Sequence, residues 1–283
     1  MTVTASVGSV RSITSRDLVS ARDLLAADPV ANCFVASRVA LGGVDPWRIG
    51  GELLGYFDDS GLISMIYCGA NLVPVATTQA TRAAFADRLR LTGRRCSSFV
   101  GPADEVLDLW RLLEPAWGPA RDVRDVQPVM AISGPPAVPE DQRVRQATPA
   151  DLDLLVPACV AMFTAEVGVS PVAGGLAAAY RARIAEIVKE GRSFVWIEDD
   201  VVVFKAEVGA VAQDVCQVQG VWVDPAYRGN GHSVSGMAAV VTMARERIAP
   251  TVSLYVNSYN TAARKAYRAV GFDEHGAFAT VLF

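Results

Sequence analysis

Apolar and polar positions along the chain follow two periods, and the places where one gives way to the other mark the elements. A short β-branched run near residue 10 leads into a helical pattern over 15–27. Alternating runs near 52–57 and 62–68, and an apolar stretch over 72–76, read as strands. A helix over 80–91, a strand over 95–100, a helix over 103–113 and a strand over 127–132 follow. The second half predicts a strand over 143–147, helices near 149–163 and 174–189, and strands over 193–198, 201–210 and 215–223. A glycine loop, a helix over 232–247, a strand over 252–256, a helix over 260–269 and a closing strand near 277–282 complete it.

The two halves open alike. Val10-Arg-Ser-Ile-Thr-Ser-Arg-Asp-Leu18 and Val144-Arg-Gln-Ala-Thr-Pro-Ala-Asp-Leu152 match at Val, Arg, Thr, Asp and Leu, placing a Thr N-cap and a first-turn Asp after a short strand. A chance likeness of two strand-to-helix junctions is the alternative reading of so short a match. Between the halves, Ser133-Gly-Pro-Pro-Ala-Val-Pro-Glu140 can neither continue a helix nor pair within a sheet, and reads as a linker.

Composition narrows the function classes. The chain has 283 residues, 51% hydrophobic and 20% charged, which suits one large or two ordinary folded domains. A net charge of -4 without a basic stripe argues against nucleic acid as partner. No secretory leader pattern and no uncharged apolar run of membrane-spanning length stand in the sequence, so the expectation is a cytoplasmic protein without a membrane partner. Five widely spaced cysteines, Cys33, Cys68, Cys96, Cys159 and Cys216, with no CxxC pair, argue against a disulfide framework and a zinc site, and no metal is expected. A catalytic cysteine would need a histidine partner, and the only histidines are His232 and His275.

The chemistry concentrates in Gln217-Val-Gln-Gly-Val-Trp-Val-Asp-Pro-Ala-Tyr-Arg-Gly-Asn-Gly-His-Ser233, where a strand feeds a glycine loop that feeds an apolar helix. The first amides of such a helix lack internal partners and carry the positive end of its dipole, an arrangement suited to an anion. A glycine-rich turn without a ligand fits the loop equally well on its own. There is no GxxxxGK[ST], and the third glycine of GxGxxG would fall at Val234, so the two dinucleotide and nucleotide fingerprints fail.

A second motif follows at a fixed distance, Asn260-Thr-Ala-Ala-Arg-Lys-Ala-Tyr-Arg-Ala-Val-Gly-Phe272. Together, the strand ending Val-Asp-Pro, the Tyr-Arg-Gly-Asn-Gly loop and this helix resemble the GNAT N-acetyltransferase superfamily. The resemblance is strong over 143–283 and weak before 140. It implies an α/β fold of two GNAT-like domains, each a mixed, mostly antiparallel twisted sheet flanked by helices. Residues 1–132 would be a degenerate domain without a phosphate loop, 133–141 the linker, and 142–283 the domain that binds acetyl-CoA.

By the same resemblance, Arg228, Gly229, Asn230, Gly231, His232 and Ser233 form the loop that holds the acetyl-CoA diphosphate. Ser233 departs from the usual Gly or Ala but is small enough to fit. Val221, Trp222 and Val223 would pair their backbone with the pantetheine arm like an added strand. Asn260 and Ala263 would meet the pantetheine or diphosphate, and Tyr267 would protonate the departing thiolate. Asn260 and Tyr267 are seven residues apart, about 10 Å along one helix face. The implied reaction is direct acetyl transfer to an amine, in a small molecule or a peptide. That amine must lose a proton to attack. The strand positions where many family members carry a glutamate hold Gln217 and Gln219, leaving Glu166, with Glu207 behind it, as base or amine ligand. A non-catalytic acetyl-CoA sensor and a transferase of longer acyl groups stay open as alternatives.

Overall fold

The computed structural model describes residues 8–283. In chain order, β1 (Ser9–Ser12) leads through a 3-10 turn into α1 (Leu18–Ala26), followed by α2 (Cys33–Gly42) and α3 (Pro46–Ile49). Then come β2 (Gly51–Asp58), β3 (Gly61–Gly69), β4 (Asn71–Val75), α4 (Gln79–Thr92), β5 (Ser98–Pro102), α5 (Ala103–Trp117) and β6 (Asp122–Ile132). After the proline-rich segment the order runs β7 (Arg145–Gln146), α6 (Leu152–Val167), α7 (Ala177–Lys189), β8 (Ser193–Glu198), β9 (Val201–Ala212) and β10 (Val215–Val223). It closes with α8 (His232–Arg247), β11 (Thr251–Tyr255), α9 (Thr261–Val270) and β12 (Asp273–Leu282). The fold is α/β, with mixed sheet flanked by helices. No described helix is long and apolar enough to cross a membrane.

The repeated opening is one local structure built twice. Arg11 forms a two-armed pair with Asp17, both arms at 2.8 Å, while Asp17 also accepts the backbone N–H and hydroxyl of Thr14. Arg145, Asp151 and Thr148 repeat each of those bonds. The Thr and Asp cap each other reciprocally, which fixes the entry into the following helix, and the arginine locks the cap to the preceding strand.

Two helices, α2 and α3, lie where the sequence pattern predicted nothing. In α2 the buried residues Cys33, Val35, Ser37 and Val39 follow one another two apart with half-buried Phe34, Ala36 and Arg38 between them, and the exposed end is Ala40 and Leu41, so no polar face marks the helical period. The helix α3 has four residues, started by an Asp45 cap and Pro46 at its first position.

The chain packs as two compact units that do not follow its halves. The first takes the described residues up to Val129, together with Tyr255–Ser258 and His275–Phe283; the second takes Met130–Leu254 and Tyr259–Glu274. The division at 133–141 therefore needs correcting at its far end: the closing strand, expected in 142–283, completes the first unit. The reason is hydrogen bonding. β12 runs antiparallel to β5 from Phe278↔Pro102 to Leu282↔Ser98, covering an edge that would otherwise stand open.

In the first unit the strand order is β1-β2-β3-β4-β5-β12-β6, antiparallel between β1 and β4 and parallel between β4 and β5. One face buries Leu53, Met65 and Val73 against α1 and α2; the other buries Ile66, Leu72 and Phe99 against α4 and α5. Thr280 of β12 donates to Gln127, whose amide donates to Asn257 at 2.8 Å, a buried polar string with each member bonded.

The second unit orders its strands β11-β10-β9-β8-β7, antiparallel except for β10 and β11. Leu155, Cys159, Ile184 and Val188 of α6 and α7 cover one face of it with Val195 and Val202. On the other, Gly236 of α8 lies against the Phe204 ring, where a Cβ would come within 2.8 Å of the ring carbons.

Candidate active site in the second unit

The crossover β10–α8–β11 builds the site. The ladder between β10 and β11 runs from Val215↔Thr251 to Gln217↔Ser253 and stops there. From Val218 onward β10 has no strand partner on that side among the described residues, and Gln219 to Val223 are half-buried. On its other side β10 stays paired with β9 as far as Val223↔Phe204, through two bulges. Between Gln217↔Ala210 and Val218↔Val208 the extra residue is Gly209 on β9. Between Gln219↔Glu207 and Trp222↔Lys205 it is on β10, where Gly220 adopts φ +61°.

After Val223 the chain turns under control of its own side chains. Asp224 caps a 3-10 turn at Pro225–Tyr227, accepting the Ala226 N–H at 2.9 Å. Arg228 folds back, its Nε donating to the Val223 carbonyl at 3.0 Å and its guanidinium lying 4.6 Å from the centre of the Trp222 ring. Asn230 donates to the Tyr227 carbonyl. Gly229 and Gly231 have φ of +85° and +80°, and a Cβ at either would meet nothing within 4 Å. The backbone conformation requires glycine there, and the space above it is open.

Gly231 is the N-cap of α8, and no side chain caps that helix. Val234 N–H bonds back to the Gly231 carbonyl, while the amides of Gly229, Asn230, Gly231, His232 and Ser233 make no hydrogen bond among the described residues. Five free amides and a helix dipole thus converge at the end of a strand whose outer edge is unpaired. His232 contributes its backbone, because its ring packs edge-on against Trp196 with centres 4.8 Å apart, and Arg143 covers Trp196 at 3.7 Å.

Residues 166–272 match the model of the acetyltransferase (GNAT) family, and residues 51–155 match a domain of unknown function, DUF4081. Residues 166–272 form a GNAT-family domain. No curated protein matches the chain. Among solved structures, a GCN5-related N-acetyltransferase from Sphaerobacter thermophilus is similar at a TM-score of 0.59 and 17% identity, covering 97% of this chain and 94% of that one. A GNAT-family acetyltransferase from Colwellia psychrerythraea scores 0.58 at 12% identity, over 97% and 99%. A tandem GNAT protein from the clavulanic acid biosynthesis pathway scores 0.58 at 13%, over 97% and 98%. At such identities the likeness is one of fold.

Within the GNAT domain, α9 packs beside α8. Asn260 stands at the N-cap of α9 rather than inside it, and its Oδ1 accepts the Ala263 N–H at 3.1 Å. Both residues are thus engaged with each other, and the Asn260 amide nitrogen makes no hydrogen bond among the described residues. Tyr267 is buried, packs on Phe272 with ring centres 5.9 Å apart, and its hydroxyl makes no hydrogen bond among the described residues. Burial pushes its phenol well above the usual range, and the Glu166 carboxylate adds to the shift. Glu166 sits in the last turn of α6, exposed, within electrostatic reach of that phenol.

Sequence reasoning passed over Lys205. It is 1% exposed on β9, its Nζ 3.5 Å from Glu207 Oε2 and donating to Cys159 Sγ at 3.3 Å. Burial works against the ammonium, but Glu207 and Cys159 outweigh it and hold the lysine charged. The signal that could have found it is the Lys-x-Glu spacing inside an otherwise apolar strand, which puts both charges on one face.

Proposed function

We propose that the chain is an acetyl-CoA-dependent N-acetyltransferase, with its reaction carried by the GNAT domain. The observation that carries this reading is the set of unbonded amides at residues 229–233. A diphosphate would satisfy them, and the unpaired edge of β10 beyond Gln217 would take the amides of a pantetheine arm as an added strand. Arg228 and Trp222 brace the loop from below, and Asn260 offers its free amide from α9.

In the transfer, the lone pair of a neutral amine forms a C–N bond to the thioester carbon as the carbonyl π pair moves to oxygen. Backbone N–H groups at the β10 bulge receive the charge on that oxygen. When the intermediate collapses, the C–S bond breaks and its electron pair leaves on sulfur. Tyr267 donates a hydrogen bond to this sulfur as it leaves, and the released thiolate takes its proton from solvent. Full proton transfer from phenol to thiolate is already uphill by roughly 2 kcal/mol in water. Burial of Tyr267 widens that gap, so its help lies in a hydrogen bond that strengthens as charge reaches sulfur. Glu166 holds the acceptor ammonium and takes up the proton that nitrogen must lose, either before the neutral amine attacks or from the tetrahedral intermediate afterwards.

The test is calorimetry with acetyl-CoA followed by turnover. The full chain should bind one acetyl-CoA, and Tyr267→Phe should retain that affinity while kcat for thiol release with an amine acceptor falls by about a hundredfold. No binding by a folded sample would end the transferase reading. Equal kcat in the variant would leave Tyr267 as a packing residue.

A further inference from the structure

We infer that Glu207 is a positioning residue of the transfer site: from β9 it fixes the Gln219 amide so that the Gln219 carbonyl oxygen receives an N–H of the acceptor amine. The inference rests on the transferase reading.

Gln219 and Glu207 are direct cross-strand partners, and Gln219 Nε2 donates to Glu207 Oε1 at 2.8 Å. A carboxylate only accepts, so this bond decides which way the amide is turned: its NH2 faces Glu207 and its oxygen faces away. No described group donates to that oxygen, and Gln219 is half-buried beside the β10 bulge where the thioester carbon would stand.

Two glycines keep the arrangement in place. A Cβ at Gly209 would fall 2.3 Å from both Cδ and Oε1 of Gln219 and 2.7 Å from Nε2, so the amide lies in the space where a side chain at 209 would stand. A Cβ at Gly220 would come 3.1 Å from Lys205 Nζ and 3.4 Å from Glu207 Cδ. Both bulges of the β9–β10 ladder thus make room for the same group of polar side chains. Glu207 is 5% exposed, and burying a carboxylate is costly without a partner. Lys205 is that partner, and it holds Glu207 as the acceptor that the amide orientation requires. With one oxygen on Gln219 and the other facing an ammonium, Glu207 is not placed to take up the proton of the amine. Its role is to orient.

The experiment uses the full chain, with acetyl-CoA affinity by calorimetry and thiol release driven by three probes: glycinamide, Nα-acetyl-lysinamide and glucosamine. Glu207→Gln, which lets the facing amide turn either way, should lower kcat/KM for the best probe about tenfold with acetyl-CoA affinity unchanged. Gly209→Ala, which leaves the Lys205 pair untouched, should give the same loss by displacing the amide. Combining Glu207→Gln with Gln219→Glu restores an amide–carboxylate pair with an accepting oxygen outward. It should recover part of the rate and shift the pH–rate profile to higher pH, because a carboxylate facing the amine favours its charged form. Full kcat/KM in Gly209→Ala, or no recovery in the exchanged pair, overturns the inference while leaving the transferase reading intact. Loss of acetyl-CoA binding in wild type, or no thiol release with any probe, overturns both.

Discussion

The two strand-to-helix junctions that precede a parallel strand, β4–α4 in the first unit and β10–α8 in the second, occupy the same place in the order of elements and treat their helix N-termini in opposite ways. At β4–α4 the turn is three residues long. Ala76 takes φ +54°, Thr78 caps α4 by accepting the Thr81 N–H, and Glu105 from α5 accepts both the backbone N–H and the hydroxyl of Thr77, at 2.8 and 2.6 Å. Arg82 secures the Thr77 carbonyl and pairs with Asp108. At β10–α8 eight residues intervene, none caps the helix with a side chain, and five amides are left over among the described residues. The chain's own carboxylate stands in the first unit where an anion from outside would have to stand in the second. A cavity of about 520 Å³ adjoins the closed junction, lined by Thr77, Thr78, Arg82, Asp104 and Glu105, and the Thr77 donors beside it are already taken by Glu105.

The largest effect that would break this contrast is expected at the open junction. Gly231→Glu puts a carboxylate among the free amides and a side chain at φ +80°, and should weaken acetyl-CoA binding by more than about a hundredfold in calorimetry. Unchanged affinity would remove the difference between the junctions. At the closed junction, Glu105→Ala strands the Thr77 N–H and hydroxyl, which are 8% exposed, and should destabilise the protein by about 2 kcal/mol in denaturant unfolding. It should leave acetyl-CoA stoichiometry at one per chain; a second equivalent bound would mean that Glu105 alone keeps that junction shut.

The smallest effect concerns where the two halves agree. The Arg11 guanidinium holds the Asp17 carboxyl well below the usual carboxylate range, against the opposing pull of burial, and Arg145 does the same for Asp151. A carboxyl with a depressed folded pKa contributes stability above its unfolded value near 3.9. That contribution falls away as pH drops through this value toward the folded one. Asp17→Asn and Asp151→Asn should each cost about 1 kcal/mol at pH 7 and flatten the acid limb of the stability profile below about pH 4. Unequal costs would show that the twin caps are not energetically equivalent.

How much of this could be read beforehand differs by element. The loop at 228–233, the strand before it and the helix after it were legible because glycines, strand alternation and apolar helical spacing are local signals. The repeated Val-Arg-Thr-Asp-Leu opening was legible for the same reason, although its arginine arm shows only in space. The helix α2 escaped because burial on nearly all sides erases periodicity, and α3 because four residues hold barely one turn. The Gln219–Glu207 bond depends on register across two bulges, which a strand pattern cannot reveal. Lys205 and Glu207 were visible as charges in an apolar run, but their partner Cys159 lies 46 residues away on α6. The home of β12 was hidden altogether, because its alternation would fit the strands of either unit.

Phe283 stacks edge-on with Phe99 and Trp110, ring centres 5.6 and 5.3 Å apart, at the end of the strand that completes the first unit. During synthesis, therefore, β5 emerges long before its partner, and its edge stays bare until β12 has been made. Cutting the gene at the proline-rich segment would yield one fragment with an exposed, aggregation-prone border and another trailing an unpaired strand, not two soluble pieces.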